Sequence, residues 1–531
     1  MESSVLKKFP SIVVEESGKE KDKKNPAIQL YGKRYYSGQT PVEYLAEFLL
    51  VFTSPKFKEV AQSKSEPKYS GHFQFCLDYV NMRYYPKDRV ALKLFAFFAT
   101  SKLETRHPAH RQAYLNALDK ISGHIDEKSD QKNIINLLQS LFNGFVGVAS
   151  NRTWVTHAFL PASENLLARE INWLHDGKTG AKNKKLSWED DESRSELMRY
   201  FSHDRHNFMA RGGEVLFLQL VNLFQSIQSD EIKQLVELTC YQHLADELDN
   251  LQSKIEYELK YLLTEGVGAL NNLVEFLENS LQDYSIDERP GTLGWIPSAS
   301  KVEALLFASE ILNICKSSLG NLEKLDLLQS LCCLHVLRSH CFQANRLSDT
   351  KQETQGFIGN YVWVVSSETA PSDNIIRKMS EESFQKVDNI QRCILHHNAL
   401  IKPSSYEEAK KHGYDIFRKI AKEIGLVIPK TGGKARFTLN QKLLRFLVTA
   451  LIRPGENIRL DQFYERIFAH YGIAIGNQLA EAVKWINSQD DKDTYSVASN
   501  NQWIEEALKQ GGFLVELSDA VSMVRNPDET E

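Results

Sequence analysis

Apolar residues along most of this chain recur three and four positions apart, which predicts one amphipathic helix after another. Tyr44, Leu45, Phe48, Leu49 and Phe52 form the first such face. It follows Thr40, Pro41 and Glu43, which carry an N-cap, a proline at the first helical position and a capping-box glutamate. The same period predicts helices over 88–102, 109–121, 133–148, 163–174, 213–228, 231–263 with a break, 300–315 and 322–342. Ser300 and Glu303 read as a second capping box. The β-branched and aromatic run 361–365 reads as a strand.

A helical connector over 381–424 leads to the Gly432-Gly433 punctuation and a different pattern. Helices are expected over 439–452, 460–471, 479–486 and 501–510. Alternating residues at 513–517 and 521–524 then predict a hairpin. Helices closed by a short hairpin describe a winged-helix-like module. Leu443, Leu444, Leu447 and Leu451, facing Phe463, Ile467 and Phe468, are expected to give it a small core of its own. The fold class is therefore mainly α, a large irregular helical body with a C-terminal winged-helix-like module. The divisions expected are a disordered tail over 1–39, helical domains over 40–200 and 201–350, a connector over 351–433 and the module over 434–531. No unit of solenoid length repeats.

Composition narrows the class without naming a function. In 531 residues, 42% are hydrophobic and 25% charged, which is globular, and the net charge of −5 is too small for a chain built to coat a polyanion. No apolar stretch approaches the roughly 20 residues of a bilayer span, so no membrane role is expected. Seven irregularly spaced cysteines and an N-terminus without a secretory pattern fit a reducing cytoplasm.

Chemistry-bearing motifs are few. Gly177-Lys178-Thr179 has Asn172 where a phosphate loop needs its first glycine. His203, Asp204, His206 and Glu214 are the candidates for catalysis, and the first three of them for metal ligation. They would serve a metal-dependent phosphohydrolase or nuclease; the competing reading is a polar loop bracing the helix after Gly212. Cys332, Cys333, His335, His340 and Cys341 lie along one helical pattern and read as buried core residues, not a zinc site. Trp154, Phe159 and Trp173 read as anchors of a helix junction. No cofactor is predicted, and an enzyme is the less favoured expectation.

A winged helix often reads DNA, so its charge matters. From Lys434 to the C-terminus, 11 Lys and Arg stand against 14 Asp and Glu, a net of −3. Glu505 and Glu506 occupy the last helix. Arg445, Arg453, Arg459 and Arg466 form the one basic edge that could contact nucleic acid, spread over two helices. Protein partners are expected before DNA.

Two stretches, 152–161 with the spacing R-x-W-x-x-H-x-F-L-P and 203–214 with H-D-R-H-x-F-x-A-R-G-G-E, join the helical body and acidic-ended module in a shared layout. That layout loosely resembles uncharacterised accessory proteins of prokaryotic anti-phage defence operons. The resemblance implies a non-catalytic scaffold or adaptor working beside operon-encoded enzymes, and it transfers no catalytic residue.

Overall fold

The computed structural model describes residues 6–7, 38–56, 72–73, 83–98, 108–149, 154–170, 212–265, 268–284, 290–293, 296–346, 354–396, 406–411, 413–486, 501–517 and 521–527. These are mainly helical. The first half holds α1 (Pro41–Thr53), α2 (Val90–Phe97), α3 (Pro108–Ser122), α4 (Gln131–Asn143), α5 (Gly212–Gln225), α6 (Asp230–Glu237), α7 (Leu251–Thr264) and α8 (Gly268–Ser280). The second holds α9 (Lys301–Lys316), α10 (Asn321–Arg346), α11 (Ile375–His396), α12 (Tyr406–Lys411), α13 (Tyr414–Glu423), α14 (Gln441–Leu451), α15 (Leu460–Tyr471), α16 (Leu479–Ile486) and α17 (Gln502–Gln510). No helix among the described residues is long and apolar enough to cross a membrane.

Helix α10 is the centre of the molecule. From Leu325 to Asn345 all but one of its residues are buried, because α1, α5, α9, α11, α13 and α14 pack around it. Cys332, Cys333, His335, His340 and Cys341 are all buried there, as core residues. Helix α5 can lie tightly on α1 because of a glycine. A Cβ on Gly213 would stand 2.4 Å from both the Phe48 nitrogen and the Tyr44 carbonyl oxygen, so any side chain would wedge the two backbones apart. One continuous hydrophobic cluster runs from α1 through α10 to Val524.

Local signals explain several boundaries. The Thr40 N–H donates to Glu43 Oε2 at 2.7 Å, as the capping-box pattern predicts. The second box is not made. Ser300 closes a preceding 3-10 turn, and the Glu303 carboxylate accepts from Arg346 and Gln343 on α10 instead, since a buried carboxylate gains more from a guanidinium than from its own helix end. Helix α4 ends at Gly144, and Val146–Val148 pairs antiparallel with Ala158–Phe159, so the helix expected to run to 148 is shorter. The helix expected over 163–174 is, as far as 170, a single 3-10 turn at Glu164–Leu166 capped by Ser163. Within the expected tail, Leu6–Lys7 pairs in parallel with Ile296–Pro297.

The C-terminal segment runs α14, strand Asn457–Arg459, α15, α16, α17, strand Leu514–Glu516, strand Ser522–Arg525. The last strand lies centrally in a three-stranded antiparallel sheet, between Asn457–Arg459 and Leu514–Glu516. The core is not private to this segment. Helix α14 packs on α9 and α10, and Ile473–Ala474 pairs in parallel with Trp363–Val364, so the predicted strand at 361–365 finds its partner more than a hundred residues later.

Candidate functional site

The sequence candidates disperse. His203, Asp204 and His206, with Trp173, lie outside the described residues. Glu214 is buried on the first turn of α5, where it accepts a hydrogen bond from the Tyr84 hydroxyl. Trp154 and Phe159 are buried against Phe98 and Phe97 respectively, as core anchors. Among the described residues, no group of three or more His, Cys, Asp or Glu is arranged to hold a metal ion.

The four arginines of the proposed basic edge are all engaged by carboxylates. Arg445 on α14 reaches Glu323 on α10 at 2.9 Å. Arg453 donates to Glu247 at 3.0 Å, to the His243 carbonyl, and lies 3.7 Å from Asp246. Arg459 pairs with Asp461 at 3.1 Å, and Arg466 makes a two-pronged bond to Glu456 at 2.7 and 3.0 Å. Two of these pairs, those of Arg445 and Arg453, staple the C-terminal segment to the helical body. Their charge is already answered within the chain.

The strongest constellation is one the sequence does not announce. Arg338 on α10 is fully buried and forks onto Glu310 of α9, with Nη1 and Nη2 each 2.8 Å from a carboxylate oxygen. Its Nη1 also donates to the His470 carbonyl of α15 at 3.1 Å, and its guanidinium lies 4.7 Å from the centre of the Tyr471 ring. The remaining donors reach His335 Nδ1 at 2.9 and 3.2 Å. That fixes the His335 tautomer. Nδ1 accepts, so Nε2 carries the proton and donates to Gln219 Oε1 on α5 at 2.8 Å, while the Gln219 amide donates to Ser339 at 2.9 Å. On the other side, His470 Nδ1–H donates to Glu310 at 2.8 Å, which leaves its Nε2 to accept from His243 Nε2 at 3.0 Å.

This chain of hydrogen bonds crosses α5, α9, α10, α15 and the 3-10 segment Thr239–Glu247, and His243 brings it to the half-buried rim. Burial pushes the Glu310 carboxyl up, but the Arg338 guanidinium and the His470 bond outweigh it and hold it below the usual carboxylate range. Burial lowers His470 and, with the Arg338 charge, holds His335 well below its ordinary value. His243 is lowered to about 2 by burial and by His470, Arg466 and Arg453. The arrangement is thus one carboxylate and one guanidinium bracketed by neutral imidazoles. Its members find their hydrogen-bond partners in one another, so the network orders the helices that carry them.

The C-terminal segment presents a different chemistry outward. Glu505 is partly exposed and Glu506 exposed on α17, and neither has a cationic partner among the described residues. Val515 and Leu517 are exposed on the hairpin that follows. No family model, curated protein or solved structure matches the chain.

Proposed function

We propose that the protein is a non-catalytic helical scaffold or adaptor whose C-terminal segment is a winged helix used to dock protein partners. The element order helix, strand, helix, helices, hairpin supports the winged-helix assignment, as does a sheet in which the final strand lies between the first and the second. The observation that carries the docking reading is the state of the arginines. Phosphate contact needs free clustered cations, and each of these four already faces a carboxylate, while among the described residues neither outward glutamate of α17 has a cation. A duplex brought to α17 would meet like charge. The setting that the resemblance at 152–161 and 203–214 implies is a cytoplasmic anti-phage defence assembly.

The test uses the full chain. Cross-linking of the natively purified complex should map partner contacts to α17 and the hairpin at 514–525. Glu505→Lys with Glu506→Lys should release those partners. Tight duplex binding by the wild-type chain, falling steeply between low and physiological salt, would replace docking with DNA binding.

A further inference from the structure

A cavity of about 320 Å³ opens between α17 and the segment that leads into α11. Its lining includes Ser366, Ser367, Thr369 and Asn374 on one side, Trp503 and Glu506 on the other. Ser366 is only 1% exposed, and its hydroxyl has no hydrogen-bond partner among the described residues. That oxygen presents almost no accessible surface, so the polar contacts open to a ligand are those of Ser367, Thr369 and Glu506. The Ser367 and Thr369 hydroxyls meet at 3.1 Å, and Ser367 Oγ also accepts from the Thr369 N–H at 3.4 Å, which leaves Thr369 Oγ1 with the greater spare acceptor capacity.

The sign of the ligand's charge follows from the pairing around the cavity. Arg377 is taken by Glu381 at 3.2 Å and by the Ala370 carbonyl at 2.8 Å, and Arg436 by the Glu368 carbonyl at 2.9 Å. The start of α11 is capped by Asn374, whose Oδ1 accepts from the Arg377 N–H at 3.0 Å. Among the described residues, Glu506 is met by the Gln502 amide alone, at 2.8 Å. Among the described residues that line the cavity, Glu506 alone carries a charge, so an anion would enter against it. The size excludes a helix or a duplex groove but admits one long side chain.

We propose that this cavity is a site for a guanidinium group, an arginine side chain presented by a protein partner. Guanidinium is planar, so it can lie on the Trp503 indole while its five donors reach Glu506 and the hydroxyl oxygens. An ammonium offers no flat face and fewer donors. The inference deepens the docking reading, on which the presenting partner rests. The guanidinium site itself is tested on the protein alone, so failure of one is seen separately from failure of the other.

The probe is Nα-acetyl-arginine amide, titrated into full-length protein labelled with 5-fluorotryptophan, the Trp503 resonance being assigned from Trp503→Phe. The expected result is a saturable shift of that resonance in the millimolar range. The neutral citrulline analogue and the lysine analogue should each bind at least several-fold more weakly. Glu506→Gln should weaken arginine-amide binding about tenfold and Ser367→Val by a smaller factor, with the other fluorine resonances unmoved. No saturable shift, or equal binding of the citrulline analogue, overturns the proposal. A stronger response to inorganic phosphate also overturns it, and assigns the cavity to anions.

Discussion

Arginine occurs in this protein in two settings that obey different energetics. Arg338 has no solvent contact and forks onto an equally buried Glu310, whereas Arg445 and Arg459 meet Glu323 and Asp461 with roughly half of each side chain in water. In the first setting the groups were dehydrated at large cost, and only complete pairing recovers it. In the second, water screens the pair and little depends on it. The same residue type is thus structurally critical at the junction of α9, α10 and α15 and nearly dispensable at the edge.

The comparison breaks most visibly at Arg338. Arg338→Met should destabilise the protein by about 3–5 kcal/mol, because it leaves the buried Glu310 carboxylate without its counter-charge and with only the His470 bond. Adding Glu310→Leu should recover most of that loss, and denaturant midpoints of the single and double variants measure both. Acid comes next. His340, whose pKa burial lowers to about 4, together with His335 and His470, is neutral in the folded state but titrates at ordinary values when unfolded. The unfolded chain therefore binds more protons as pH falls. Stability is fully present above pH ~6.5 and declines below it, by roughly 3 kcal/mol down to pH 4 from His340 alone. A melting temperature constant from pH 6.5 down to 4.5 would contradict the neutral, buried assignment.

A steric break separates packing from charge. Gly213→Ala should cost about 1–3 kcal/mol by forcing α5 off α1, and unlike the histidine effect this loss should not change with pH. The smallest effect is expected at the edge. Arg445→Ala and Arg459→Ala should each change stability by under about 1 kcal/mol and leave duplex affinity where it was. A large drop in duplex binding in either would show that these cations are available after all.

Much of the helical layout is legible in the apolar spacing. The faces at 460–471 and 479–486 are met residue for residue by α15 and α16, and the hairpin at 513–524 forms. Boundaries fail where tertiary demand outbids local chemistry. Glu303 abandons its helix end for Arg346, and the chain after Gly144 turns into a strand because Phe159 offers it a partner. The buried network is hidden for another reason. Gln219, Glu310, Arg338 and His470 are scattered over some 250 positions, and periodicity says nothing about which distant residues meet. A signal does exist: Gln219 and Glu310 each stand in a mostly apolar helical run, where a polar side chain needs a buried partner. The cavity beside Trp503 has no such trace, since its two walls are joined only by the fold.

The order in which the network's members leave the ribosome has a consequence for biogenesis. Glu310 and Arg338 sit on consecutive helices and can pair as soon as the α9–α10 hairpin closes, but His470 and the strand Ile473–Ala474 that completes Trp363–Val364 are made well over a hundred residues later. Until then the nascent body holds a half-satisfied guanidinium and an open strand edge, surfaces that chaperones bind and neighbouring chains can capture. Synthesis halted before residue 470 is therefore expected to yield an aggregation-prone fragment, and the last ninth or so of the 531 residues completes the network and the strand pair.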